Sequence, residues 1–371
     1  MKKIYMVLLA ALIIFSTALF YINLKTPIKI ALIGNLEEEK YNFSTSSIIA
    51  GRIAEKEINE KQGIKGRKTQ LIIRSDDFKK PEETIKFLKE NNIEAIISTS
   101  SSEEILRIKP YLDKNKIICF SLGATSSELS FKDDYIYSML PNDEEEVKTF
   151  VDHLSTNNLP KDIVIISTSS NVEYKNSIEK NIKKVGGNVA FEELWTDNSI
   201  KYTPTNIEGM KGKTILILSS ARDTAIILQK LNNYGLVKNA FGLSWSGDEN
   251  LIFYGGKPVQ DFKFITPVDF AQSSSKYGKL ADKLKDYEKS NGLLPAGVYE
   301  AYNIFKNAYG YKRDKHITLK EAIDITKSYD GLNSDILLNK YGDYEGKEYI
   351  FTVKDGKFTK LGGTKDEGSK N

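Results

Sequence analysis

The hydrophobic positions of this chain fall into three regimes. The first is a continuous apolar run over residues 4–22, preceded by Lys2 and Lys3 and followed by a polar linker over 23–27. The second alternates short aliphatic runs with longer stretches whose apolar residues recur at helical spacing. It begins with a buried strand over 28–33, closed by Gly34. Hydroxyls over 44–47 then start a helix in which Ile48, Ile49, Ile53 and Ile58 share a face, and Gly63 stops it. Strands over 71–73, 95–97 and 117–120 follow, with Pro81-Glu82-Glu83 opening one intervening helix and Ile105 and Leu106 marking another. After Pro141-Asn142-Asp143 a second series predicts strands over 163–166, 189–194, 214–218 and 240–243, with a helix over 224–234 capped by Gly235.

Strand–helix alternation predicts parallel sheets with helices on both faces. Two such series predict an α/β fold of two doubly wound parallel-sheet lobes. The third regime differs. Residues 264–267 offer a place for the chain to cross between lobes, and helices over 276–289, 296–309 and 319–326 follow. An antiparallel pair over 349–358 turns at Lys354-Asp355-Gly356-Lys357, and a disordered tail is expected after Leu361.

The leading apolar run is long enough to span a bilayer as a hydrophobic helix and also fits a long signal peptide. An uncleaved membrane anchor is the favoured reading. Two N-terminal lysines keep that end in the cytoplasm and send the bulk of the chain outside, so the expected location is extracytoplasmic. The cysteine that lipoprotein processing needs is missing from this run.

Composition narrows the function classes. The 371 residues exceed one ordinary core and suffice for two. The net charge is +3, and acids and lysines are interleaved, as in Glu55-Lys56-Glu57, so nucleic-acid binding is not suggested. The single cysteine, Cys119, excludes an intrachain disulfide and a multi-thiolate metal site, and reads as a buried hydrophobe. His153 and His316 lie far apart and belong to no ligand or triad motif. Asp76 and Asp77 point opposite ways in an extended segment and read as loop caps. There is no Gly-x-Ser-x-Gly, no Walker loop and no His-Glu-x-x-His. No enzyme activity, cofactor or metal is therefore expected.

In open α/β sheets, ligands bind outside the carboxyl ends of the strands. That rule selects Ser100, Ser101 and Ser102 after the third strand, where hydroxyls and helix N-terminal amides suit a carboxylate. It selects Gly123, Ala124 and Thr125 after the fourth, where small residues admit a ligand to the backbone. In the second lobe it selects Ser220 and Ala221 after one strand, and Trp245 with Asp248 after the next. Trp245, among serines and glycine, is placed to cover an apolar ligand face. One serine of each run also suits a plain helix cap, and Trp245 a core position.

From Ile28 to about Leu361 the order of motifs resembles the type 1 periplasmic substrate-binding proteins, in particular the branched-chain amino-acid-binding (Leu/Ile/Val-binding) group of ABC transporters. The resemblance rests on Ala50 to Asn59 with the exit Gly63-Ile64-Lys65-Gly66, on Ser121 to Leu129, on Tyr299-Glu300-Ala301, and on the closing segment from Tyr329 to Phe358. It implies two lobes joined by three crossovers near Asp143, Pro267 and Asp330, closing over a small-molecule ligand. The implied division is a 1–26 anchor, lobe 1 from 27–143 and 268–330, lobe 2 from 144–267 and 331–362, and a tail over 363–371. Ser102, with Ser101 or Ser100 in its place, matches the hydroxyl offered to a ligand carboxylate. Gly123 and Thr125 match the turn that grips the α-carboxylate and α-amine.

The second lobe departs from this pattern. Tyr174-Lys175 stands where Tyr-Gly is usual, so Tyr174 keeps the ring contact without the glycine. The acid that pairs with an α-ammonium near Trp245 is absent at the aligned position, though Asp248 or Asp223 supplies it if the alignment slips. An amide or small carboxylic acid fits as well as an amino acid. The expected function is an extracytoplasmic solute-binding protein serving an ABC permease. A membrane-tethered ligand sensor is the alternative, and an exported α/β hydrolase a more distant one.

Overall fold

The computed structural model describes residues 26–36, 43–168, 172–195, 204–271, 275–289 and 291–363. The apolar run over 4–22 and residues 364–371 of the expected tail lie outside them. Among the described residues no helix is long and apolar enough to cross a membrane.

The first series builds one sheet from β1 (Ile28–Gly34), β2 (Thr69–Ser75), β3 (Ala95–Ser98), β4 (Ile118–Ser121) and β5 (Ile136–Ser138). Their order is β2-β1-β3-β4-β5, all parallel. Helices α1 (Phe43–Glu60), α2 (Pro81–Glu90) and α3 (Ser102–Asn115) connect them. Ile30, Ala31, Leu32 and Ile33 are all fully buried, as a strand covered on both faces requires. Cys119, in β4, is fully buried too, and burial pushes its thiol far above the ordinary range. The native protein is therefore expected to take up no Ellman reagent until it is unfolded. Labelling of the folded protein within minutes would contradict this packing.

After β5 the chain enters α4 (Asp143–Thr156) and builds β6 (Asp162–Ser167), α5 (Val172–Lys184), β7 (Asn188–Leu194), β8 (Thr214–Leu218), α6 (Ala221–Asn232) and β9 (Ala240–Gly242). A short α7 (Glu249–Gly255) precedes β10 (Lys263–Thr266). The apolar run at 264–267, offered as a place to cross between lobes, is strand as far as Thr266. Next come α8 (Lys276–Lys285), α9 (Leu293–Lys315), α10 (Leu319–Thr326) and a small hairpin of β11 (Ser328–Tyr329) with β12 (Ile336–Leu337). Finally β13 (Tyr349–Lys354) and β14 (Lys357–Gly363) add antiparallel strands to the second sheet, whose order is β14-β13-β10-β9-β8-β6-β7. β14 carries order to Gly363, two residues past Leu361.

Helix α9 is the spine of the first lobe. Val298, Ala301, Tyr302, Phe305 and Ala308 bury one stripe against a core shared with Ile30, Leu32 and Ala54. It runs longer than the expected 296–309. Pro295 suits its first turn, and Lys312, Arg313 and Lys315 complement the dipole of its last. His316 closes it in the left-handed region at φ 57°, which gives that histidine a capping position. The segment after α10 stays on the same lobe. Ser138 N–H donates to the Gly342 carbonyl at 3.0 Å, and Phe131 N–H to Asp343 Oδ2 at 2.9 Å. The second lobe has its own core, with Trp195, Ile215, Ile217, Phe262, Phe264 and Phe351 buried together.

Candidate functional site

In the first lobe, the loops leaving β3 and β4 are fused at their backbones. A Cβ on Gly123 would stand 2.4 Å from the carbonyl oxygens of both Thr99 and Ser100, so only glycine lets the two loops meet. Ser102 Oγ then accepts from Thr125 N–H at 3.2 Å and from Ser126 N–H at 3.1 Å. Its own O–H remains available as a donor. Ser101 caps α3. Its Oγ accepts from Glu104 N–H, and its N–H and O–H donate back to the Glu104 carboxylate. Ser100 is 2% exposed, and its Oγ has no partner among the described residues. Ala124 turns inward, into the core that holds Ile105 and Leu129. Thr125 is half-buried. Its carbonyl accepts from Asp143 N–H at 2.9 Å, and its side chain reaches the Tyr174 hydroxyl of the second lobe.

The second lobe answers with Tyr174 on α5 and with the single turn Ser244–Ser246 after β9. Tyr174 is 8% exposed and donates to Glu146 Oε2 at 2.6 Å. Glu146 Oε1 accepts from Ser244 N–H at 2.6 Å and also from the Ser244 hydroxyl. Burial pushes the Glu146 carboxyl up, against the pull of these hydrogen bonds. Trp245, next in the chain, is half-buried and packs against the first-lobe core and against the cluster that holds Leu140 and Leu293. Thr168 Oγ1 and Ser219 Oγ pair at 3.1 Å at the neighbouring strand ends.

The remaining second-lobe candidates have local duties. Ser220 Oγ caps α6 by accepting from Asp223 N–H at 3.3 Å, and Ala221 is fully buried in the second-lobe core. Asp248 is 3% exposed and caps α7. Its Oδ1 accepts from Asn250 N–H at 2.6 Å, and Oδ2 from Asn250 Nδ2 at 3.3 Å. It lies against Gly292 of the first lobe, where an added Cβ would come within 2.9 Å of the Asp248 Cβ. Burial pushes its carboxyl up to about 7.

The structure thus brings Thr125, Tyr174 and Trp245 to the meeting of the lobes, with Asp248 against Gly292. Ser102 and Gly123 join the first-lobe loops, Ser100 is buried, and Ser101, Ala124, Ser220 and Ala221 serve as caps and core. Sequence reasoning missed Glu146. The signal was present, because Glu146, Phe150 and Leu154 fall on one stripe of α4. Among the described residues no three His, Cys, Asp or Glu side chains converge on a metal position. A separate cavity of about 40 Å³ lies at the crossings, lined by Met139, Pro267, Tyr277, Glu300 and Tyr344 among others. It has room for a few waters, not for an organic solute.

Two doubly wound lobes that meet through the Thr125 and Tyr174 hydroxyls and the Trp245 indole have the architecture of a two-lobed solute receptor. Residues 27–357 match the periplasmic binding protein family, and the chain belongs to that family. Its members are transport receptors, not enzymes, and act outside the cytoplasm.

Solved structures agree on the fold. The branched-chain amino acid transporter substrate-binding protein LivJ from Streptococcus pneumoniae, in complex with isoleucine, superposes with a TM-score of 0.76 at 17% identity, covering 91% of this chain and 100% of its own. The leucine-binding protein LivK from Thermotoga maritima gives 0.74 at 19% identity, covering 92% and 99%. A solute-binding protein from R. palustris, in complex with benzoate, gives 0.76 at 13% identity, covering 92% and 98%. No protein in the search of curated sequences matches significantly.

Proposed function

We propose that the protein captures a small polar organic solute bearing a carboxylate or amide between its lobes and delivers it to an ABC permease. The observation that carries this reading is the convergence of Ser102 and Thr125 from one lobe with Tyr174 and Trp245 from the other. Hydroxyl and backbone donors suit a carboxylate, and the indole suits an apolar body. Isoleucine and benzoate, the ligands of two structural neighbours, share that combination. Contacts to both lobes exist together only when the lobes are closed, so ligand shifts the opening equilibrium. The sequence-based division gives lobes of 27–143 with 268–330 and of 144–267 with 331–362. The bonds from Ser138 and Phe131 favour extending the first through Tyr344. The run over 4–22 serves as a membrane anchor or signal.

A thermal-shift panel tests the reading. One class among amino acids, amides and carboxylates is expected to raise the melting temperature saturably. The gain is about 2.7 kcal/mol of stability at a hundredfold excess over Kd. A flat response across all three classes, with no small molecule retained in native mass spectrometry, overturns it.

A further inference from the structure

Two side chains of the second lobe reach across to the first, Tyr174 and Trp245, and one carboxylate holds Tyr174 and the residue before Trp245. Glu146 is 2% exposed and sits in the first turn of α4, just past the crossing from the first lobe. Its Oε2 takes the Tyr174 hydroxyl, 28 residues away, and its Oε1 takes both donors of Ser244, 98 residues away. We propose that Glu146 is the positioning residue of the second-lobe half-site, fixing Tyr174 and the turn that carries Trp245 in one arrangement. The proposal rests on the solute-binding reading for its consequence, but not for its geometry.

The physical argument is one of satisfied donors. The Tyr174 hydroxyl, the Ser244 N–H and the Ser244 hydroxyl lie inside the lobe, where an unmatched donor is costly. A single carboxylate satisfies all three through charge-assisted bonds, which are the stronger kind. The far side of the turn is pinned by neutral groups, with Ser246 Oγ and Thr224 Oγ1 at 3.2 Å. Trp245 therefore stands between a charged clasp and a neutral one. Loss of the charged clasp frees the turn on the side that faces Tyr174. Tyr174 loses its anchor in the same event, and with it the contact to Thr125. Glu146 is buried with both oxygens engaged by Tyr174 and Ser244, so its influence on capture runs through these two residues.

Trp245 provides a readout that needs no ligand. The other tryptophan, Trp195, is fully buried, so acrylamide reports on Trp245. In the full protein, Glu146→Leu is expected to raise the acrylamide quenching constant at least twofold. It is also expected to weaken binding of L-isoleucine or benzoate, whichever the parent binds, at least tenfold. Glu146→Gln keeps an acceptor for Ser244 and offers a donor to the Tyr174 oxygen, so it is expected to stay within twofold of the parent in both. Unchanged quenching in a folded Glu146→Leu protein overturns the proposal, as does Glu146→Gln behaving like Glu146→Leu.

If Glu146→Leu does not fold, a cycle of Tyr174→Phe, Ser244→Ala and the double variant decides. Effects on quenching that add independently overturn the proposal, whereas a double variant no worse than the worse single one supports it. A parent that binds neither probe, with quenching responding as stated, leaves the positioning role standing and counts against the ligand class alone.

Discussion

Gly123→Ala is expected to lower stability by on the order of 3 kcal/mol and to abolish solute capture by the first lobe. The added methyl would press on two carbonyl oxygens at 2.4 Å. Neither belongs to a side chain that can rotate away, so the loops leaving β3 and β4 must separate. Overpacking of this kind costs about 1–3 kcal/mol. Separation also weakens the two hydrogen bonds into Ser102 Oγ, each worth about 1 kcal/mol. The corresponding fall in melting temperature is about 6–12 °C for lobes of this size. Gly66→Ala is the control. Its φ of +81° carries strain, but an added Cβ meets nothing within 4 Å, so about 1 kcal/mol is expected. Circular dichroism melts of the two variants check the comparison. A Gly123→Ala protein as stable as Gly66→Ala would show that the loops are not fused.

That glycine illustrates what was legible in the sequence. Parallel strands covered on both faces read as unbroken aliphatic runs, which is why 30–33, 163–166 and 215–217 announced both sheets. β5 escaped because Ile-Tyr-Ser is too short to show a period. The chain's return after α10 escaped for another reason. It is held to the first lobe by bonds such as Phe131 to Asp343, between residues 212 apart, and no local pattern encodes them.

The strand-end rule selected the loops that leave the strands. It could not say which way each side chain turns. A hydroxyl at a helix start is equally suited to cap that helix, and Ser101 and Ser220 do so. Ala124 and Ala221, small enough to admit a ligand, are also small enough to pack inward. Glu146 was hidden among Asp143, Glu144 and Glu145. Composition reports four acids there, and helical phase puts two of them, Asp143 and Glu146, on the buried stripe with Phe150 and Leu154, without saying which one Tyr174 and Ser244 use.

Raising the pH from 5 to 8 is expected to destabilise the protein, with Asp248 a principal cause. Its carboxyl titrates near 7 in the folded state against an ordinary value of 3.8, because burial disfavours the charge. Below 3.8 both states hold the proton, and the contribution is whole. Between 3.8 and 7 the unfolded chain ionises while the folded one keeps its proton, so stability falls as pH rises. Past 7 the loss is complete. Of this, the two units between pH 5 and 7 correspond to about 2.7 kcal/mol. Glu348, pushed up to about 8, and Glu300, pushed up to about 7, act in the same direction. His153 opposes them, since burial lowers its value and favours folding as pH rises through the usual histidine range.

Asp248→Asn isolates the effect. The amide oxygen can still cap α7, and the group no longer titrates. Urea denaturation at pH 5, 6, 7 and 8 is expected to show a flatter profile for the variant, which overtakes the parent above pH 7. Parallel profiles would mean that Asp248 ionises freely in the folded protein. The same proton bears on closure, because Gly292 of the first lobe helps to cover Asp248. Drawing the lobes apart at that point admits water to the carboxylate, so the ionised form weighs against the closed arrangement, and solute affinity in the parent falls over the same pH window.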